Sequence, residues 1–335
     1  MRPEGVGAAP PLARATLDRA AHHRRDPDWL ATAWRRARVL VVDIAGGGRA
    51  LVRSVDPEGP AAGPDEAAVG SDGSVDARLV LLTADTAPQE GDRLFLGVEP
   101  DGVPVFMVDG PLPTVDDTRA ANLRDSGHRL SDRDAGILTA ATALGNWHAT
   151  HRFSPASGRP TTITDGGWAR VDESGVLMFP RTDPAMIVLV HDGVDGPGGR
   201  CLLGHNAAWG ARGGARRFSC LAGYVEPGES AEAAVVRETA EEVGVQVSAL
   251  RYEASQSWPY PGSLMLGFTA VADPARPLRL DPDEIAEACW FTRRDIAAMI
   301  EGDCVHPESG VAISLPMRSS IAFYLIERWL TAGRP

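Results

Sequence analysis

The sequence predicts an α+β protein of two domains, a β-rich N-terminal domain followed by one in which strands and helices alternate. A length of 335 residues suffices for two cores of ordinary size. Short apolar runs punctuated by Gly, Pro and Asp fill the first 150 residues, as strands and turns require. Beyond residue 180, such runs alternate with stretches of helical periodicity, the mark of a layered domain.

In chain order, Leu12–Trp34 mixes Arg, Asp, His and Leu in the manner of surface helices and turns. Arg38–Ile44, Arg78–Thr83, Arg93–Val98 and Val103–Val108 read as strands, and Pro57–Gly73 as a flexible surface loop. Ser131 is placed to cap a helix carrying Ile137, Leu138, Ala141, Leu144 and Trp147 at helical spacing. The pattern from His151 to Pro180 is irregular and reads as a connector or small insert. Then come strands at Ala185–His191 and Cys201–Gly204, a helix at Ser230–Val243 and a strand at Leu264–Ala272. A short element at Glu284–Phe291 and an amphipathic helix at Ser319–Leu330 close the chain. The expected division is 1–150, a connector at 151–178, and a second domain at 179–332.

Composition narrows the function. A formal net charge of −12 argues against a general nucleic-acid binder, which presents a basic surface. It leaves room for a small anionic substrate, because cations held in a cleft reverse the local field. Cys201, Cys220, Cys289 and Cys304 form no C-x-x-C pair, so they build neither a zinc ribbon nor a redox dithiol. Scattered thiols of this kind fit a reducing compartment. Met1–Leu12 lacks a signal-peptide core, and no segment approaches the roughly 20 apolar residues of a membrane span. The expected location is the cytoplasm.

The chemistry concentrates in Gly223–Val245. Pro227 and Gly228 make a loop, Ser230 caps a helix, and Gly244 stops it. Glu238, Glu241 and Glu242, at i, i+3 and i+4, fall within one sector of that helix. Ala233, Val236, Ala240 and Val243 fall opposite and are expected to pack on the core. Stacked carboxylates repel one another, and a hard divalent cation removes that repulsion. On spacing alone the triplet reads more readily as a solvated acidic face, and spacing does not decide it.

The whole segment closely resembles the Nudix box, G-x5-E-x7-R-E-U-x-E-E-x-G-U with U a bulky aliphatic residue. Gly223, Glu229, Arg237, Glu238, Glu241, Glu242, Gly244 and Val245 all match, and Thr239 departs at the first U. The resemblance implies a Nudix α/β/α sandwich that holds Mg²⁺ or Mn²⁺ against a diphosphate for attack by water. It makes Glu238 and Glu242 metal ligands with Glu241 close by, adds Glu284 and the Ala222 backbone, and pairs Arg237 with Glu229. Which carboxylate accepts the proton is not readable, because such groups titrate together.

A second motif bears on the substrate. Ser255-Gln256-Ser257-Trp258-Pro259-Tyr260-Pro261-Gly262-Ser263 resembles S-Q-P-W-P-F-P-x-S, the signature of the NADH pyrophosphatase branch of that superfamily. A Trp/Tyr pair between prolines makes a rigid amphipathic wall, and Gln256 and Ser263 offer hydrogen bonds. The same residues also suit a stiff loop that buries Trp258 for packing. By the resemblance, Tyr224 and Phe179 sandwich the substrate's base, one ring from each subunit of a homodimer. Ala322 supplies a backbone contact and Arg124 a further one. The implied reaction splits NADH or NAD⁺ with water into nicotinamide mononucleotide and AMP. Removal of NAD caps from RNA is a secondary implication, since no basic groove is evident. Two alternatives stand beside it: a Nudix hydrolase of another nucleoside diphosphate derivative such as ADP-ribose, and a non-catalytic nucleotide-binding module. The intact acidic set weighs against the module.

Members of this branch usually carry two C-x-x-C pairs that bind zinc in the connector. Here Ser154 and Ser157 stand in the first pair's place, and Val171–Val176 contains no cysteine. Hydroxyls are poor zinc ligands. No structural zinc is expected, and the segment should be held by packing around Trp168 and Phe153. His148 and His151, three apart, read as structural histidines in a packed helix.

Overall fold

The computed structural model describes residues 9–55, 76–209, 215–302 and 310–332. The expected loop Pro57–Gly73 and Cys304 lie outside them. The chain divides into two units, Met1–Thr182 with Ser257–Ser263, and Asp183–Gln256 with Leu264–Pro335.

The first unit opens with α1 (Pro27–Trp34), where Asp26 accepts the Trp29 N–H and Pro27 occupies the first helical position. Its strands are β1 (Arg38–Val42), β2 (Ala50–Ser54), β3 (Ala77–Leu79), β4 (Leu82–Thr83), β5 (Arg93–Val98), β6 (Pro104–Asp109) and β7 (Arg119–Ala121). They form one sheet of order β4-β1-β6-β5, with β1 and β6 parallel, and a second of order β3-β2-β7. The single strand expected over Arg78–Thr83 is therefore two, in different sheets. The buried carboxylate of Asp134 takes the Leu79 N–H at 2.8 Å, where β3 ends. After α2 (Leu123–Ser126), the long helix α3 (Asp132–Thr150) starts at Ser131, whose Oγ accepts the Asp134 N–H at 3.2 Å. Ile137, Leu138, Ala141 and Leu144 of α3 pack with Leu40, Val42, Leu96 and Met107 in one core.

The segment read as an irregular connector contains a three-stranded antiparallel sheet of β8 (Thr161–Thr164), β9 (Ala169–Asp172) and β10 (Leu177–Met178), in the order β10-β9-β8. Trp168 anchors it, donating from Nε1 to the Phe95 carbonyl at 2.7 Å under the Arg24 guanidinium. Phe153, expected to share that role, is 61% exposed. Its neighbour Ser154 is the buried residue at this point. His148 is structural. Arg170 can only donate, so Nδ1 accepts at 2.9 Å, while Nε2 donates to the Gly167 carbonyl at 2.8 Å. Burial then holds the imidazole neutral, with its pKa below the usual histidine value.

The second unit comprises β11 (Asp183–His191), β12 (Arg200–Asn206), β13 (Arg216–Arg217), β14 (Leu221–Tyr224), α4 (Ala231–Val243), β15 (Ser248–Trp258), β16 (Ser263–Val271), β17 (Ile285–Thr292), α5 (Arg293–Glu301), β18 (Ile313–Ser314) and α6 (Ile321–Ala332). The main sheet runs β15-β16-β11-β12-β17, with β14 paired to the first half of β11. Alternate residues of β11 serve opposite layers. Met186, Val188 and Val190 join Ala234, Val235 and Val243 of α4, whereas Ile187 and Leu189 join Ile296 of α5 and Leu325 and Ile326 of α6. A strand buried on both faces explains the unbroken apolar run, and the result is the expected α/β/α sandwich. No helix among the described residues is long and apolar enough to cross a membrane.

Candidate active site

α4 is fixed at both ends. Ser230 Oγ accepts the Ala233 N–H at 3.1 Å, and Gly244 closes the helix in the left-handed region at φ 70°. The chain after β16 returns to use the helix's last carbonyls. The Arg279 N–H donates to the Val243 carbonyl at 2.9 Å and the Asp281 N–H to the Glu242 carbonyl at 3.0 Å. A Cβ on Gly244 would lie 2.8 Å from that of Arg279, so the close approach itself requires glycine. This docking delivers Glu284, just before β17, to the carboxylates of α4.

The inward side of α4 corrects the amphipathic reading. Ala234, Val235, Glu238, Thr239, Glu242 and Val243 are buried, while Ala233, Val236 and Ala240 are exposed. Glu238 and Glu242 sit at the margin of the apolar stripe rather than opposite it. Thr239, at the aliphatic position of the box, is fully buried and satisfies its hydroxyl by donating to the Val235 carbonyl at 2.8 Å. Its shape therefore serves as valine would. Gly223 makes room on β14, since a Cβ there would lie 2.0 Å from the Glu238 carboxyl carbon.

Arg237 locks the preceding loop to the helix. It grips Glu229 through two bonds, Nε to Oε1 and Nη2 to Oε2, both 2.9 Å. Nη2 also donates to the Tyr224 carbonyl at 2.9 Å, and Nη1 reaches Glu238 at 2.9 Å and Glu241 at 3.0 Å. The second Glu229 oxygen accepts the Glu226 N–H at 3.1 Å. These bonds, Arg237 first, hold Glu229 ionised below the usual carboxylate range.

One ligand oxygen from each of Glu238, Glu242 and Glu284 lies within 4.8 Å of the others. Glu242 is 3% exposed, and its Oε2 has no hydrogen-bond partner among the described residues. Burial, with Glu238 and Glu284 adding repulsion, pushes its carboxyl up to about 8, against the pull of the Ala222 N–H. Burial also raises Glu238, although Arg237 opposes it. Three convergent carboxylates with an orphaned buried oxygen could hold a hard divalent cation, which would relieve both the repulsion and the missing bond. Glu241 points elsewhere. It is exposed and held by Arg237 rather than grouped with the three.

The other expected residues divide between the units. Tyr224, on β14, is 56% exposed, and Ala322 is buried in the first turn of α6 with its carbonyl 3.8 Å from Cys220 Sγ. Gln256 is buried and donates to the Ser319 carbonyl at 3.1 Å, bracing the start of α6. Phe179, 60% exposed, belongs to the first unit, as does the motif tip Ser257–Ser263, which takes in the last two residues of β15 and the first of β16. There Trp258 and Tyr260 meet edge to face and pack on the first unit's core, with Arg124 3.9 Å over the Tyr260 ring. Pro259 is buried, Pro261 is exposed after a cis peptide, and Ser257 and Gly262 are half-buried. Ser263, buried, begins β16. Asn146 was not anticipated. Its amide donates to the Pro259 carbonyl at 2.6 Å, a contact across 113 positions that local pattern cannot reveal.

With this geometry in view, residues 181–306 match the NUDIX domain family, and residues 31–147 match the NADH pyrophosphatase-like rudimentary NUDIX domain. The chain is 38% identical over 327 residues to the NAD-capped RNA hydrolase NudC of Mycobacterium tuberculosis, covering 96% of this chain and 95% of the relative. It is 36% identical over 211 residues to the human NAD-capped RNA hydrolase NUDT12, covering 60% of this chain and 43% of that one. A solved NUDIX hydrolase from Nitrosomonas europaea is 20% identical, covers 55% of this chain and 94% of its own, and superposes with a TM-score of 0.37. The chain belongs to the Nudix hydrolases, in their NADH pyrophosphatase-like branch.

Proposed function

We propose that the protein hydrolyses the diphosphate of NADH or NAD⁺ to nicotinamide mononucleotide and AMP, and removes the same group from NAD-capped RNA. The cluster of Glu238, Glu242 and Glu284 carries the reaction type. Likeness along nearly the whole chain to a protein named for NAD-capped RNA supports the substrate. Mg²⁺ or Mn²⁺ is the proposed cation, held by the three glutamates with the Ala222 backbone. When bound, it supplies charge neutralisation for the diphosphate and acidifies water.

The chain's own groups do the rest. Arg237 and Glu229 keep loop and helix in one geometry, so that Glu238 and Glu242 need not reorganise as charge develops. A proton from the attacking water passes to the coupled glutamates as a set. The exposed rings of Phe179 and Tyr224 support a base sandwich completed in a homodimer. The Trp258–Tyr260 pair is the proposed aromatic wall that meets the substrate, and Gln256, Ser263 and Ala322 are proposed as further substrate contacts. The buried thiols Cys201 and Cys220 fit work in the cytoplasm.

The test is a substrate panel with the purified full chain, Mg²⁺ and Mn²⁺ supplied separately. NADH, NAD⁺, ADP-ribose and an NAD-capped oligonucleotide are compared by kcat/KM. Nicotinamide mononucleotide released from the free or capped dinucleotide at least about tenfold more efficiently than ADP-ribose is cleaved is the expected result. A preference for ADP-ribose would overturn the substrate assignment, and inactivity on all four with either cation would favour a binding module.

A further inference from the structure

Zinc, which the resemblance places in the connector, does not fit the residues found there. Two turns of similar form occur in the first unit, Ser154-Pro-Ala-Ser157-Gly158 and Asp172-Glu-Ser174-Gly175. In the first, the Gly158 N–H closes on the Ser154 carbonyl at 2.8 Å, and in the second Gly175 closes on Asp172 at 3.0 Å. Each glycine is left-handed, at φ 70° and 85°. Across the gap, Ser157 Oγ donates to Asp172 Oδ2 at 2.8 Å, and Arg159 pairs with Glu173. The other oxygen, Oδ1, accepts the Ser174 hydroxyl at 2.6 Å and the N–H groups of Ser174 and Val176 at 3.0 Å each. Ser154 and Asp172 are both buried, 1% and 4% exposed.

We propose that Asp172 takes the place of the ribbon's metal: one ionised carboxylate gathers donors from both turns and clamps the connector without zinc. A thiolate-bound zinc ties two knuckles together through charge at their common centre. Here the charge is a fixed anion, and the ligands are inverted into donors. A cation at that point would meet two neutral hydroxyls and a carboxylate already accepting four hydrogen bonds, so it would have to break the network that forms the site. The hydroxyls of Ser174 and Ser157, contributing most, hold Asp172 well below the usual carboxylate range, with the Val176 N–H and the Ser154 hydroxyl adding to them. The arrangement is independent of the catalytic reading.

The test combines metal content with local opening of the full-length chain. Elemental analysis of protein grown with zinc present should give well under about 0.1 zinc per chain, and a zinc-selective chelator should leave the rate of trypsin cleavage after Arg152 and Arg170 unchanged. Asp172→Ala should raise that rate by at least about tenfold, whereas Ser157→Ala and Ser174→Ala, each removing one donor, should raise it by less. Close to one zinc per chain, with faster cleavage after its removal, would overturn the proposal. So would an Asp172→Ala chain cleaved at the wild-type rate. If Asp172→Ala does not fold, the two serine variants decide, since wild-type cleavage in both contradicts the clamp.

Discussion

Glu242→Gln is expected to lower kcat on the best substrate by about 10³-fold, within the range lost when a positioned acid–base or charge-bearing group is removed. The variant keeps the size of the side chain and can keep the Ala222 contact, but it cannot ionise and so cannot offer a cation the charge that Glu242 would. Its stability should move the other way. In the metal-free protein the Glu242 carboxyl titrates at about 8, whereas in the unfolded chain it titrates at about 4.3. At neutral pH the folded form therefore binds the extra proton, and stability falls as pH rises through the window between those values. Glutamine does not titrate, so metal-free Glu242→Gln should melt above the wild type at pH 8, with the difference shrinking toward pH 4. Mg²⁺ should raise the melting temperature of the wild type and do little for the variant. Calorimetry across that pH range, with and without Mg²⁺, checks both signs. A variant that keeps kcat within threefold would remove Glu242 from the chemistry.

The second large effect is at Arg237. Its guanidinium meets Glu229 through two bonds and also holds Tyr224, Glu238 and Glu241, so Arg237→Ala releases the loop and leaves several anions without their common partner. A fall in kcat/KM of about 10²-fold is expected, the scale set when reacting groups are misplaced by about 1 Å. The melting temperature should fall too, in contrast to Glu242→Gln. Arg237→Lys should recover little, because an ammonium cannot reproduce the paired geometry to Glu229 while reaching the other three. Steady-state kinetics and thermal melts of both variants check this. Full activity in Arg237→Lys would show that charge alone suffices.

How far the sequence reached depends on the range of the interactions concerned. The box was legible because its chemistry lies in one loop and one helix, where spacing fixes which side chains meet. Its facing was not. An amphipathic reading sends every carboxylate to water, but Glu238 and Glu242 turn inward, Glu238 into the space that Gly223 leaves. Helix α5 carries a usable local signal in the reciprocal cap of Thr292 and Asp295. β15 lies at the edge of the main sheet, and its half-exposed residues give no clear alternation. In the connector, Thr, Ser, Asp and Gly suggested irregularity where short strands and two polar turns form. Short strands held by side-chain hydrogen bonds leave little apolar period to detect. The allegiance of Trp258 and Tyr260 to the first unit rests on Asn146 and Arg124, distant in the chain, and no local pattern encodes it.

Anomalous diffraction from crystals soaked in Mn²⁺ would examine the acidic cluster most directly. A manganese peak bounded by carboxylate oxygens of Glu238, Glu242 and Glu284 is the predicted result. Manganese that supports turnover yet leaves those three side chains unliganded would contradict the account.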